Sequence, residues 1–325
     1  MPHPGRGFAE SAAAWRGGYD ASMARTANRL PAASSAAAPS RGGQRAEHAW
    51  LERVYRQYHQ PRFIRPDPLQ TLGAYSDPAD REVIGLVAAL LAYGNVKAIL
   101  GGIAEVERRL GPRPAAWLDE HTPEAVLAAF ADYRYRVTAG RTLGCLLVSV
   151  RTLRRQYGSL DHAATAAARR LRETPETTHH APAAPTGHDP DPALTTVAAW
   201  VELLHRHAPG PLDHLLPHPG RGSACKRLWL YLRWMVRRDA IDPGGWSALC
   251  PADLIVPLDT HMHRIARARG WTRRKQANLA AAREVTAALA RHCPTDPLRY
   301  DFALTRPGIR REQLPGGEWP IVRGH

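Results

Sequence analysis

The stretch LPHPGRGSACKRLWLYLRWMVRR, residues 216–238, joins a glycine turn to a strongly amphipathic segment. Gly220 and Gly222 enclose one residue, and two glycines at this spacing suit a tight turn. The apolar residues that follow recur at three- and four-residue intervals, which is typical of one buried helix face. The sequence therefore predicts a helix near 224–238, with Lys226 in its first turn.

Helical spacing of apolar residues continues on both sides of this stretch. The predicted helices cover residues 46–58, 81–93, 96–110, 123–131, 140–157, 160–171, 195–207, 224–238, 260–269, 276–292 and 297–303. No segment shows a convincing two-residue alternation of apolar and polar side chains, which a half-buried strand would need. We therefore expect an all-α fold of about ten helices.

Composition divides the chain into five parts. Residues 1–46 are rich in Ala, Gly, Ser and Arg and are predicted to be a disordered basic tail. A stretch rich in Pro, Thr and His, residues 173–192, is predicted to be a linker between two helical parts, 47–172 and 193–309. The last residues, 310–325, are predicted to be an irregular tail without a role.

Positive charge is concentrated towards the C-terminus. The formal net charge is +14, and residues 221–325 hold 19 basic and 9 acidic side chains, whereas residues 47–220 hold 19 of each. Arginine accounts for almost all of the positive charge, since the chain has only three lysines, Lys97, Lys226 and Lys275. A basic C-terminal third favours an anionic partner, and nucleic acid is the most common one.

Several function classes are disfavoured by the sequence. Four cysteines lie singly, with no close pair that could hold zinc or an iron–sulfur cluster, so we expect no metal and no other cofactor. The longest apolar run, residues 83–93, is shorter than a bilayer-spanning helix needs, so no membrane association is expected. The sequence thus predicts a cytoplasmic protein, associated with the nucleoid if it binds DNA.

Lys226 is a candidate nucleophile. A lysine amine attacks electrophiles once it is deprotonated, whereas a guanidinium stays charged. The first turn of a helix disfavours an ammonium, because the N-terminal end of the helix dipole is positive. The alternative is that Lys226 contacts a phosphate without doing chemistry, as basic residues near a helix start often do.

A second segment, IVPLDTHMHRIARARG, residues 255–270, places Asp259 at the start of another predicted helix. An ionised aspartate there could stabilise a cationic transition state or transfer a proton, but an aspartate at this position is more often only a helix cap. His261, His263 and Arg264 follow it and are candidate pocket residues, with helix-face packing as their alternative. Trp229 is a further pocket candidate, although an aromatic at helical spacing is more often part of the core.

The glycine turn is also a candidate phosphate-binding site. Exposed backbone N–H groups before a helix bind phosphate oxygens without reading a base. The residues assigned to this role are Gly220, Arg221, Gly222, Ser223 and Arg227.

Several stretches resemble a bacterial family catalogued as domain of unknown function 2400. They are GSACKRLWLYLRWMVRRDAID, LIVPLDTHMHRIAR and DPLRYDFALTRPGI, with FIRPDPL, GLVAALLAYGNV and YGSLD further upstream. The resemblance covers residues 51–309. That family is similar, more distantly, to the helix-hairpin-helix DNA glycosylases, and closest to their archaeal 8-oxoguanine branch in the length of the segment between the lysine and the aspartate.

The resemblance implies a fold and a reaction. The fold would be a helix-hairpin-helix glycosylase-like bundle, and Lys226 and Asp259 would be the nucleophile and the catalytic aspartate. The implied function is a base-excision DNA glycosylase, with or without lyase activity, that acts on an oxidised purine in damaged duplex DNA. A non-catalytic helix-hairpin-helix protein that binds nucleic acid is the alternative function, and RNA stays open as the alternative partner.

Overall fold

The computed structural model describes residues 41–173, 191–212, 214–221 and 223–310. Within these ranges it contains twelve α-helices. They are α1 (Arg41–Tyr58), α2 (Pro78–Leu90), α3 (Val96–Leu110), α4 (Pro114–Glu120), α5 (Pro123–Ala129), α6 (Gly140–Tyr157), α7 (Leu160–Glu173), α8 (Pro192–His207), α9 (Lys226–Val236), α10 (Thr260–Ala268), α11 (Leu279–Ala290) and α12 (Asp301–Arg310). The predicted all-α class is confirmed.

Capping residues explain where many of these helices begin. The side chains of Asp77, Asn95, Thr122, Asp191 and Asn278 each accept a hydrogen bond from a backbone N–H in the first turn of the helix that follows. Proline occupies the first position of α2, α5 and α8, where its missing N–H costs nothing. These signals place the start of α2 three residues before the predicted one.

One short β-hairpin interrupts the helices. Strand β1 (Arg134–Tyr135) pairs antiparallel with β2 (Thr138–Ala139). The hydroxyl of Tyr93 lies 2.7 Å from the Thr138 hydroxyl and donates to the Tyr135 carbonyl at 3.2 Å, so the hairpin is attached to the end of α2. The sequence did not predict the hairpin, because strands of two residues are too short to show an alternating pattern.

The hydrophobic core runs through both of the predicted helical parts. Helix α2 packs on α9, and α1 packs on α12. The contact between α2 and α9 is close at Gly85, where a Cβ atom would lie 3.1 Å from Met235 Cε. The predicted parts 47–172 and 193–309 therefore share one core.

Buried ion pairs anchor the C-terminal half of α9. Arg233, 4% exposed, donates to Asp242 at 3.2 Å and to Asp301 at 2.6 Å. Arg237 donates to Asp242, and also to Asp296 and Asp239, each at 2.8 Å. Burial alone would lower the pKa of Arg237, but its bond to Asp296 and the charge of Asp242 outweigh burial and raise it. Both arginines are therefore held as cations within the protein.

The boundaries of the predicted tails and linker are only partly within the described ranges. Helix α1 begins at Arg41, so residues 41–46, predicted as part of the tail, are helical. Helix α12 includes Arg310, which the sequence had placed in the C-terminal tail. The predictions for residues 1–40, 174–190 and 311–325 lie outside the described residues. Among the described helices, none is long and apolar enough to cross a bilayer.

Candidate active site

An open cleft of about 810 Å³ lies between the N-terminal ends of α9 and α10, the end of α2 and helix α12. Its charged lining residues are four basic side chains, Lys226, Arg227, Arg233 and Arg306, and three acidic ones, Asp67, Asp259 and Asp301. The cleft is therefore close to electrically balanced, although the C-terminal third of the sequence is strongly basic. A balanced charge means that most of the unmatched positive charge lies elsewhere on the surface.

Lys226 is the first residue of α9 and lines this cleft. The helix is preceded by Cys225, whose backbone is left-handed with φ of 43°, and this conformation turns the chain sharply into the helix. Lys226 is half-buried, and within the described part of the chain no hydrogen bond or ion pair holds its amine. The amine is thus free to contact a molecule in the cleft.

Asp259 lines the same cleft from the start of α10. Its Oδ1 accepts a hydrogen bond from the Met262 N–H at 2.7 Å, so the predicted capping role is real. A carboxylate has a second oxygen, and one capping bond leaves acceptor capacity for a ligand. The structure thus brings Lys226 and Asp259, 33 residues apart in sequence, to the wall of one cleft.

Arg227 is tied to the protein rather than left free for a phosphate. Its guanidinium donates to the Leu90 carbonyl at 2.5 Å and to the His214 carbonyl, and it lies over the Tyr93 ring at 5.0 Å. Burial lowers its pKa below the usual arginine range. Two of its donors already satisfy backbone carbonyls, and its phosphate role stays a prediction. Arg227 fixes the start of α9 against the end of α2.

The predicted phosphate turn has internal partners. The Gly220 N–H donates to His218 Nδ1 at 3.1 Å, and the Arg221 N–H donates to the His218 carbonyl at 3.2 Å. Burial lowers the pKa of His218, which favours the neutral ring that accepts at Nδ1. Neither Gly220 nor Arg221 lines the cleft, whereas Ser223 does. The prediction for Gly222 lies outside the described residues.

The described turn between α8 and α9 has few backbone amides available to an anion. Helix α8 ends at His207 and α9 begins at Lys226, with a 3-10 turn at Pro219–Arg221 between them. Since the amides of Gly220 and Arg221 are already bonded, a phosphate would have to displace His218 to bind them. The described part of the turn therefore offers little free hydrogen-bonding capacity to an anion.

The remaining predicted pocket residues separate into two groups. His261 lines the cleft. Trp229 is 0% exposed and belongs to the core, which corrects its assignment to the pocket. His263 lies within hydrogen-bonding distance of the Arg274 carbonyl, at 3.0 Å, and Arg264 is exposed; neither lines the cleft. The physical reason is helical geometry, since one turn of α10 directs successive side chains to different sides.

The sequence analysis missed the charged residues at the C-terminal side of the cleft. Arg306 is 5% exposed, pairs with Asp67 at 2.9 Å, lies over the Phe302 ring, and has a buried Nε without a hydrogen-bond partner. Burial raises the pKa of Asp301, and the nearby charge of Asp259 adds to this increase, while Arg233 opposes it. The sequence could have pointed to them, because Asp67 lies in FIRPDPL, and Asp301 and Arg306 lie in DPLRYDFALTRPGI. Both stretches are among those that resemble the family.

A metal site has no obvious place among the described residues. No three His, Cys, Asp or Glu side chains there are grouped in a way that could hold an ion. The described cysteines form no disulfide with one another.

Comparison with known proteins identifies the family. A family model described as "Protein of unknown function (DUF2400)" matches residues 67–310, and the chain belongs to this family. No curated protein and no solved structure matches the chain. The predicted family is thus confirmed, whereas the more distant similarity to DNA glycosylases stays a prediction.

Proposed function

We propose that the cleft is the active site of a DNA base-excision enzyme that uses Lys226 as its nucleophile. The observation that carries this proposal is that Lys226 and Asp259, from the starts of two different helices, line one open cleft, and that no described residue bonds the lysine amine. A cleft of about 810 Å³ is large enough for a nucleotide turned out of the duplex.

The reaction follows from the two groups. The neutral Lys226 amine would attack C1′ of the damaged nucleotide, and the bond between C1′ and the base would break, with the base leaving as it takes up a proton. The free oxygen of Asp259 would stabilise the positive charge that develops on the sugar. Opening of the sugar ring would then give a Schiff base between Lys226 and C1′. Loss of a proton from C2′ of that species would expel the 3′ phosphate and so cleave the strand, and water would then hydrolyse the C=N bond and release the lysine.

The N-terminus of α9 supports the nucleophilic role. Lys226 occupies the first helical position and lines the cleft. No carboxylate among the described residues forms an ion pair with its amine, so the amine is available to an electrophile. Asp259, in contrast, is held at the start of α10 by its bond to the Met262 N–H.

Borohydride trapping tests the proposal. Duplex DNA that carries 8-oxoguanine, or an abasic site, is incubated with the protein and reduced, and covalent adducts are separated from free DNA. We expect an adduct with the unmodified protein and none with Lys226→Arg, because a guanidinium cannot form a Schiff base. Asp259→Asn should slow base release by roughly a hundredfold or more.

The other two lysines provide matched controls. Lys97 and Lys275 are exposed and do not line the cleft, so Lys97→Arg and Lys275→Arg should form the adduct normally. An adduct that persists in Lys226→Arg would assign the reaction to another amine and refute the proposal. The absence of an adduct on both substrates, together with salt-sensitive DNA binding that Lys226→Arg retains, would support the non-catalytic binding protein instead.

A further inference from the structure

A second cavity, of about 450 Å³, lies on the other side of the segment that borders the cleft. Its wall is formed by residues within 61–65 and 69–75, by Arg81 in the first turn of α2, and by Ile241 and Pro243. Three arginines line it, namely Arg62, Arg65 and Arg81, together with apolar side chains that include Ile64 and Leu72. We refer to it below as the arginine cavity.

The charges of these three arginines are unmatched. No carboxylate lines the arginine cavity, and none of the three forms an ion pair within the described part of the chain. Arg81 is half-buried: its Nη2 donates to the Ser76 carbonyl at 2.9 Å, while its buried Nε has no hydrogen-bond partner. A guanidinium has five N–H donors, and the described residues bond only one donor of Arg81, so the side chain keeps donors for a ligand.

Two acidic residues next to the lining of the arginine cavity have partners elsewhere. Asp67 accepts from the Leu69 N–H and pairs with Arg306 on the cleft side. Glu107 accepts from the hydroxyl of Tyr75 at 2.9 Å, and burial raises its pKa, which favours its neutral form. Neither of the two forms an ion pair with an arginine of the cavity.

We propose that the arginine cavity binds a phosphate group carried on a nucleotide unit. Guanidinium groups bind phosphate oxygens in pairs of parallel hydrogen bonds, and three of them at one cavity exceed what a single carboxylate ligand would need. A volume of about 450 Å³ has room for a sugar beside the phosphate, and Ile64, Leu72 and Ile241 provide apolar surface for it. The arginine cluster is separate from the chemistry of the cleft, but the choice of a nucleic-acid strand as the source of the phosphate rests on the proposed function of the cleft.

The position of the arginine cavity points to a nucleic-acid strand as the source of the phosphate. Arg65 and Leu69 line the arginine cavity, whereas Pro66, Asp67 and Pro68 line the cleft, so one short segment separates the two sites. A strand that places one nucleotide in the cleft would carry its neighbouring phosphates across this segment. The alternative source of the same chemistry is a free mononucleotide.

The test uses the double variant Arg62→Gln/Arg65→Gln, because both side chains are exposed and their loss should not disturb folding. Its matched control is Arg53→Gln/Arg206→Gln, which removes two exposed arginines that line neither site. Binding of a fluorescein-labelled DNA duplex and of its single strand is measured by anisotropy across a salt series. Stabilisation by deoxycytidine monophosphate and by inorganic phosphate is measured by thermal unfolding.

Two outcomes support the proposal and identify the source. If DNA is the ligand, the cavity variant should bind more weakly, and its slope of log K against log salt should fall by about two units. The control should keep the unmodified slope. If a free nucleotide is the ligand, deoxycytidine monophosphate should stabilise the unmodified protein and the control but not the cavity variant, with DNA binding unchanged.

A third variant checks the role of Arg81. Arg81→Lys keeps the charge but removes the Nε donor and the fork of the guanidinium, so it should weaken the same ligand while leaving the salt slope nearly unchanged. If the cavity variant and the control behave alike with every probe, the proposal is refuted. Failure of the cleft chemistry is seen separately, because trapping at Lys226 is independent of these binding measurements.

Discussion

Helix α9 carries basic side chains at both ends, and their surroundings differ completely. At its C-terminal end, Arg233 and Arg237 are buried and paired with Asp242, which both of them contact. At its N-terminal end, Lys226 lines an open cleft and forms no ion pair with any residue that the structure describes. The two buried arginines at the C-terminal end share a carboxylate, whereas Lys226 has no carboxylate partner among the described residues and is available to a molecule in the cleft.

The largest loss of stability should follow from removing Asp242, the carboxylate shared by the two buried arginines. Asp242→Ala leaves Arg233 and Arg237 without a shared carboxylate in the core, and should lower the free energy of unfolding by about 3–5 kcal/mol. Urea denaturation followed by far-ultraviolet circular dichroism measures the change. The matched control is Glu120→Ala, an exposed carboxylate 4.0 Å from Arg113, which should change stability by about 0.5 kcal/mol or less. Equal losses of unfolding free energy in the two variants would contradict the conclusion that Asp242 stabilises the buried arginines at the C-terminal end of α9.

An intermediate loss of stability is expected at Arg227. This residue follows Lys226 in α9, but its guanidinium, like those of Arg233 and Arg237, is bonded within the protein. Arg227→Met removes the hydrogen bonds to the carbonyls of Leu90 and His214 and should cost about 1–3 kcal/mol of stability. Arg221→Met, at an exposed position nearby, should cost little. If Arg227→Met keeps its stability but binds DNA more weakly, the result would support the phosphate-binding role that the sequence predicted for Arg227.

Much of the fold was predictable from the sequence because helices leave a periodic signal. The apolar spacing located α3 and α6 with the bounds that the structure shows. Helix α4 was missed, although α5, which also has seven residues, was predicted over residues 123–131. The hairpin formed by β1 and β2 was missed because strands of two residues show no alternation, and its position depends on the distant hydroxyl of Tyr93.

The site was predictable only where a residue is marked by its local sequence. Lys226 and Asp259 stand at helix starts that turn and capping signals indicate, and the structure places both at the cleft. Arg306 and Asp67 are about 240 residues apart, and no local rule brings them together. The same applies to the partners of Arg227, since a carbonyl acceptor leaves no trace in the sequence.

The smallest effect on stability, and the one that distinguishes the two ends of α9 most clearly, is expected at Lys226. Lys226→Gln removes an ammonium from the positive end of the helix dipole without breaking any described ion pair or hydrogen bond. It should therefore leave stability unchanged or raise it by about 0.3–1 kcal/mol. The measurement is urea denaturation of Lys226→Gln and, as the control, of Lys97→Gln, which replaces an exposed lysine in the first turn of α3.

A loss of unfolding free energy above about 1 kcal/mol in Lys226→Gln would show that Lys226 supports the fold. A neutral or stabilising change, combined with loss of trapping in Lys226→Arg, is the result expected of a residue retained for chemistry at a cost to stability.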